Sequence, residues 1–238
     1  MKLSKRLETV AFMVTKGNRA ADVGCDHGFV PIFLVESGIS PLAVAADVRP
    51  GPLSRAKEHI KEHRLEEKIQ TRLSDGLANI KPGEADSLIM SGIGGILMMR
   101  LLQDEEHTAK SFKELILSPQ SELFDVRRYL VSNGYLIEYE HMLCDEGKFY
   151  FIFHVLVKKD EREWSEEEYR YGKDICKDDM KTFLAYLEKE ERQYEQILEK
   201  MKQAPENDRA VQRIAQLHQD ITCLKKRRQL VYDCGCFA

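Results

Sequence analysis

The sequence predicts an α/β fold, a mainly parallel sheet flanked by helices, continued by a C-terminal α-helical hairpin of coiled-coil character. Three observations carry this reading. Before about residue 160, short apolar β-like runs alternate with stretches of helical periodicity, the pattern of a sheet covered on both faces. Successive β-like runs end in acidic and glycine-rich turns. Beyond that point almost every segment is charged and helical in pattern. The expected division is therefore a first domain over residues 1–160 and a helical domain over residues 161–238.

Each element has its own signal. A first helix starts after Ser4, an N-cap residue, presents Leu7, Val10, Ala11 and Val14 on one face, and is expected to end at Gly17-Asn18. Ala20 to Val23 reads as a short strand running into Gly24-Cys25-Asp26-His27-Gly28, with a helix over 29–36 ended by Gly38. Leu42 to Ala46 is a second buried strand finishing on Asp47. A surface helix after Pro50 carries Leu53, Ala56 and Ile60. Ile69 to Leu73 is a third strand, ending at Ser74-Asp75-Gly76. Leu88 to Met90 is a fourth, ending at Ser91-Gly92-Ile93-Gly94-Gly95, and a helix with Leu97, Met98, Leu101 and Leu102 follows. Leu115 to Leu117 is a fifth strand, followed by Ser118-Pro119-Gln120 and a helix through Leu123, Val126, Tyr129 and Leu130.

The rhythm then changes. Tyr135 to Leu143 and Phe149 to Val157 read as two strands joined by Asp145-Glu146-Gly147-Lys148, a hairpin closing an otherwise parallel sheet. In the tail, Met180, Phe183, Leu184, Leu187, Tyr194, Ile197, Leu198 and Met201 recur at spacings of three and four. Ile214, Leu217, Ile221, Leu224 and Val231 do the same, with Pro205 to Asp208 as the break.

Composition narrows the function. Apolar residues make up 43% of 238, enough for a sizeable core, so wholesale disorder is excluded. The net charge of −4 gives no global basic field. Neither a membrane-spanning run nor a signal-peptide core is evident, and six cysteines without a secretion signal suit a reducing compartment, so a cytoplasmic protein is expected. A monomer is the favoured state.

The sharpest constellation is the set of acids and glycines at successive strand ends, where open parallel sheets bind ligands. Gly24 lets a ligand approach the backbone. Asp47 stands 23 residues beyond Gly24, where a carboxylate can hold ribose hydroxyls, and Asp75, beside Gly76, can accept a hydrogen bond from an adenine amine. A nucleoside ligand follows. The dinucleotide fingerprint wants a glycine where this chain has Asp26; a carboxylate there repels a pyrophosphate and suits the ammonium of S-adenosylmethionine. The closing hairpin likewise fits a class I methyltransferase sheet.

These residues carry a family resemblance. The chain resembles the bacterial tRNA adenine-N1 methyltransferases that modify position 22. The matching segments are Lys2-Leu3-Ser4-Lys5-Arg6-Leu7, Asp22-Val23-Gly24-Cys25-Asp26-His27-Gly28, Gly51-Pro52, Ser74-Asp75-Gly76-Leu77, Gly92-Ile93-Gly94-Gly95 and Leu115-Ile116-Leu117-Ser118-Pro119, spanning the N-terminus to about residue 158. The resemblance implies a Rossmann-like methyltransferase domain, a C-terminal coiled-coil domain, S-adenosylmethionine as donor and tRNA as substrate. Two positions depart from the family's usual pattern. Phe29 stands where tyrosine is more common, and Ser118-Pro119-Gln120 replaces Gln-Pro-Asn.

The expected donor-binding set is Gly24, Asp26, His27, Asp47, Asp75, Gly76 and Gly92. Asp26, as a carboxylate near the developing cation, and Phe29, as a stacking platform for a flipped base, are the candidate catalytic residues. Lys5, Arg6, Gly94, Gln120 and the cluster Lys225-Lys226-Arg227-Arg228 are the candidate tRNA-binding residues, the cluster supplying local positive charge that the whole chain lacks. Cys234-Gly235-Cys236 and the pair His59 and His63 each lack the further ligands of a metal site, so no metal is expected. Two rivals stand beside this reading. A dinucleotide-dependent oxidoreductase is opposed by Asp26, and a non-catalytic nucleoside- or RNA-binding module is kept open by Phe29 and Gln120.

Overall fold

The computed structural model describes residues 3–173, 175, 179–202 and 208–233. The chain divides into two compact units, Met1–Arg162 and Glu163–Ala238.

In the first unit, α1 (Lys5–Phe12) opens with the Ser4 hydroxyl accepting a hydrogen bond from the Leu7 amide. It stops before the expected Gly17-Asn18, because Met13 already closes the last turn, although Val14 remains buried. The further elements are β1 (Ala20–Val23), α2 (Phe29–Glu36), β2 (Ala43–Asp47), α3 (Pro50–Glu62), β3 (Ile69–Leu73), β4 (Ser87–Ser91), α4 (Gly95–Asp104), α5 (Glu106–Ala109), β5 (Glu114–Ser118), α6 (Leu123–Ser132), β6 (Leu136–Asp145) and β7 (Lys148–Leu156). The one-turn α5 is too short to show a period, and the sequence reading omits it.

Seven strands form one sheet in the order β3-β2-β1-β4-β5-β7-β6. The first five run parallel, and β7 lies antiparallel between β5 and β6. The hairpin between β6 and β7 is tighter than expected. Its strands reach Asp145 and Lys148, leaving Glu146 and Gly147 both at positive φ (49° and 74°), the conformation of a type I′ turn. The chain winds outward from β1 to β3 and then returns to lay β4 on the other side of β1. That reversal opens a crevice at the carboxyl ends of β1 and β4.

Burial explains the strand sequences. β1 and β2 are buried throughout and rich in alanine, as suits strands covered on both faces. β3, at the edge, buries only Ile69 and leaves Gln70 and Leu73 exposed. α2 is apolar all round, with Val30, Pro31, Ile32, Leu34 and Val35 buried, so it is a core helix rather than an amphipathic one. At the amino end of the sheet, Glu114 accepts hydrogen bonds from Thr15, Asn18, Ser87 and His154. Burial alone would raise this carboxyl, but the bonds from His154, Ser87 and Thr15 hold it down at about 2.

The second unit holds α7 (Glu166–Tyr171), α8 (Met180–Lys202) and α9 (Asp208–Asp233). The sequence reading missed α7, although Ser165 and Glu168 form a capping box at its start. Phe183, Leu184, Leu187 and Leu198 of α8 and Leu217, Leu224 and Val231 of α9 are buried. So, unexpectedly, are Asp220 and Arg227, which fall on the same three–four spacing as those α9 leucines. Asp220 pairs with Arg170 of α7 at 2.9 Å. Most of the break before α9 lies outside the described residues.

The basic tail cluster is only partly at the surface. Arg227 is only 5% exposed and donates to the carbonyls of Gly172 (2.6 Å) and Lys173 (2.8 Å) over the Phe183 ring, so it presents no charge to phosphate. Its neighbours remain at the surface but are matched by carboxylates, Lys225 and Arg228 by Glu191 and Lys226 by Glu167.

Candidate functional site

Because β1 to β5 are parallel, their carboxyl ends lie along one edge of the sheet. Reading across in strand order, that edge carries Asp75 two residues beyond β3, Asp47 ending β2, Gly24 and Asp26 beyond β1, Ser91 and Gly92 at the end of β4, and Gln120 beyond β5. All of them line one cavity of about 500 Å³, within the range of small-molecule sites.

The turn after β1 builds the middle of the cavity. Gly24 has φ +81°, and a methyl group placed on it would meet only the Ile93 side chain, at 3.7 Å, so the missing side chain keeps the backbone open to a ligand. Gly28 caps α2 at φ +72°, where a Cβ would stand 3.0 Å from Ala56 of α3; its bareness lets two helices meet behind the turn. Between them Asp26 adopts φ 47°, and its carboxylate is 56% exposed. Asp47 is buried and holds this geometry, accepting from the Asp26 amide at 3.3 Å and the Arg49 amide at 2.8 Å. Asp75 is exposed on the far side, and Gly76 follows it.

Phe29 and His27 also line the cavity. Their rings stack 5.4 Å apart, and His59 stacks on Phe29 at 5.1 Å while bonding the His27 carbonyl through Nδ1. His63, the other member of the histidine pair, bonds Glu36 instead. No group of three metal-ligating side chains occurs among the described residues, and the cysteine pair near the C-terminus lies outside them.

The β4 side is different in charge. Arg6 of α1 reaches into the cavity, donates from Nη1 to Ser91 Oγ at 2.6 Å, and lies over the Tyr150 ring. Both Arg6 and the Gln120 amide approach Gly92, whose φ of +85° is a conformation that favours glycine. Lys5 is exposed outside the cavity, and Gly94 caps α4 beside Ser121.

Among the cavity residues that the sequence reading did not name as site residues are Asp22, Ser91 and Arg49. Asp22 left a signal, since a carboxylate inside an apolar buried strand is costly unless used. It is 4% exposed, and its carboxyl is pushed up to about 7, first by burial and then by the charge of Asp47, with Arg6 pulling the other way.

The residues present fit a nucleoside that ends in an amino acid. Carboxylates at β2 and β3 can accept from sugar hydroxyls and a base amine, and further carboxylates at β1 suit an ammonium. No pyrophosphate cradle is formed, because Asp26 stands in the turn.

A family model described as a methyltransferase domain matches residues 3–153. The tRNA (adenine(22)-N(1))-methyltransferase of Bacillus subtilis (strain 168) is 28% identical over 232 residues, covering 95% of this chain and 97% of that protein. Among solved structures, Streptococcus pneumoniae Sp1610, described as a candidate tRNA m1A22 methyltransferase, is 33% identical with a TM-score of 0.87, covering 95% of this chain and all of that one. The same protein has been solved in complex with S-adenosyl-L-methionine, at 31% identity and a TM-score of 0.84, covering 95% and 100% of the two chains. The TrmK structure from M. capricolum, in complex with S-adenosyl-homocysteine, is 25% identical with a TM-score of 0.86, covering 97% of this chain and 100% of that one.

Proposed function

The chain belongs to the bacterial tRNA (adenine-N1)-methyltransferase family, and on that premise we propose that it transfers a methyl group from S-adenosylmethionine to N1 of adenine 22 in tRNA. The observation that carries the proposal is the single cavity lined, in strand order, by Asp75, Asp47, Asp26 and Gly24, Gly92 and Gln120. Within it, Asp47 and Asp75 hold the nucleoside end of the donor, and Gly76, where a Cβ would run into the Leu101 side chain, lets α4 pack against that end. Gly24, His27 and Asp26 border its amino-acid end.

When bound, S-adenosylmethionine supplies an electrophilic methyl group on a sulfonium centre. Adenine N1 carries a lone pair, so the protein need not remove a proton before attack. What the chain contributes is alignment. The turn after β1 and the Gly92–Gly94 loop hold the target base in line, a proximity effect that can supply much of the rate. Phe29, buttressed by His59, gives that base an aromatic wall once it leaves its stack. As the base becomes cationic, the exposed Asp26 carboxylate stabilises it. Gln120 faces the same space and suits the polar edge of adenine.

The test uses purified protein, radiolabelled S-adenosylmethionine and unmodified tRNA transcripts. Label recovered as 1-methyladenosine from wild-type transcripts, and absent when position 22 is guanine, is the expected result. Donor binding without label in any tRNA would overturn the activity and leave a non-catalytic module.

A further inference from the structure

One apolar side chain lies exposed just beyond the Gly92–Gly94 loop. Ile96, in the first turn of α4, is 67% exposed, more than any other large apolar side chain among the described residues. A lone exposed isoleucine is ordinary. This one is flanked by residues that line the cavity, with Gly92 and Ile93 before it and Leu97 and Leu101 after it. Ile93 faces the Gly24 turn, and Leu97 is itself 38% exposed, so apolar surface runs from the cavity wall out over its rim. The mounting is rigid. Met98, Leu101 and Leu102 of α4 are buried, and its first residue is pressed against the start of α6, where a Cβ on Gly95 would stand 2.5 Å from the Ser121 carbonyl. An isoleucine in a helix also keeps essentially one χ1 rotamer, so it has little freedom to lose on entering a partner.

Resting on the function proposed above, we propose that Ile96 is a wedge that enters the RNA stack and fills the place vacated by the target adenine. That adenine belongs to a folded tRNA, so its N1 reaches the methyl group only after the base has given up stacking on both faces. The gap it leaves opens at the mouth of the cavity, and the walls of the gap are the apolar faces of the two flanking bases. An isoleucine has no polar atom to satisfy and so matches those faces. Apolar side chains, isoleucine among them, are the wedges that unstack base steps in other nucleic-acid complexes. Phe29 lowers the energy of the extruded base inside the cavity, whereas Ile96 lowers the energy of the stack it has left. A second copy of this chain is the poorer occupant. The exposed apolar surface here amounts to two side chains, well short of the roughly 800 Å² per partner of a stable protein interface.

The experiment measures single-turnover methyl transfer at saturating protein and S-adenosylmethionine with two synthetic tRNAs. One has the native sequence. The other carries abasic sites on both sides of adenine 22, so the base has no stack to leave and the wedge none to enter. Ile96→Ala slows transfer to the native tRNA by about ten- to fiftyfold, the loss expected for most of one buried isoleucine contact, and stays within about twofold of wild type on the abasic tRNA. Ile96→Met, still long and apolar, recovers most of the rate. S-adenosylhomocysteine affinity, read by calorimetry, is the same in all three proteins. Equal losses on both tRNAs, or weakened S-adenosylhomocysteine binding, would overturn the proposal in favour of a structural role for Ile96. An unchanged rate on the native tRNA would overturn it outright, and a sedimentation change alongside that unchanged rate would assign the side chain to a contact between copies. Wild-type protein slower on the abasic tRNA than on the native one would also overturn it, because extrusion there costs less. If wild-type protein transfers no methyl group to the native tRNA, the function proposed above falls, an outcome distinct from any difference between the variants.

Discussion

Asp22→Asn replaces a buried carboxyl by a neutral group of the same shape. The carboxyl sits at about 7 in the folded chain, against about 3.9 in an unfolded one. The folded state therefore holds this proton more tightly, and the sign is the reverse of an ion-paired acid. The stability that the protonated form contributes is fully present below about pH 4, is lost as pH rises, and is gone above about pH 7. Three units at about 1.4 kcal/mol each give an upper figure of about 4 kcal/mol for the ionised group. The asparagine never ionises. Urea unfolding of both proteins is expected to show similar stabilities near pH 4 and a variant more stable by about 2–4 kcal/mol near pH 8. Donor binding moves the other way. A nearby ammonium favours ionised Asp22, so the wild type binds S-adenosylmethionine more tightly as pH rises through about 7, while the variant binds weakly with little pH dependence. Comparing the two proteins at each pH cancels the titrating groups that do not interact with Asp22. A stability difference independent of pH, or a variant less stable near pH 8, would refute the reasoning.

Three further outcomes follow from the geometry. Alanine normally stabilises a helix relative to glycine by about 1 kcal/mol, but at Gly95 its Cβ would stand 2.5 Å from the Ser121 carbonyl and 2.8 Å from Val126. Gly95→Ala should thus cost about 1–3 kcal/mol and lower the melting temperature by several degrees, and a rise would contradict the packing. Glu114→Gln should remove about 2–3 kcal/mol at neutral pH and flatten the acid limb between about pH 4 and 2, because the wild-type carboxylate loses its contribution as pH falls towards its own value of about 2. Arg227→Ala should destabilise the protein by about 1–3 kcal/mol, by stranding the Gly172 and Lys173 carbonyls, yet leave tRNA affinity of the folded protein unchanged in a filter-binding assay.

The strand ends were readable because their chemistry is local. Asp47 and Asp75 follow apolar β runs at the point where each strand must stop, and position in the chain alone sets them on the sheet's carboxyl edge. Gly24, Asp26 and Gly28 were readable for the same reason. What escaped the sequence depends on distance in space. Arg6 was named as a candidate tRNA-binding residue, but its place in the cavity was not legible, since only packing of α1 against the sheet brings it 2.6 Å from Ser91, 85 residues away. Arg227 failed in the opposite direction. Four consecutive basic residues look like a solvated patch, but on a helix they point to different faces, and the third falls on the spacing that faces the interior. The missed α7 was hidden by its charge, since three glutamates in its first turn suppress an apolar period while favouring a helix start.

Net charge misleads in a chain like this. The total of −4 predicts weak attraction to a polyanion, yet binding depends on the charges that remain unmatched where contact occurs. Three of the four tail cations face carboxylates, the fourth is internal, and Arg6 points into the cavity. On the function proposed above, specificity rests on the cavity, where Asp75, Asp47, Asp22 and Asp26 line the β1–β3 side and Arg6 and Gln120 the β4–β5 side.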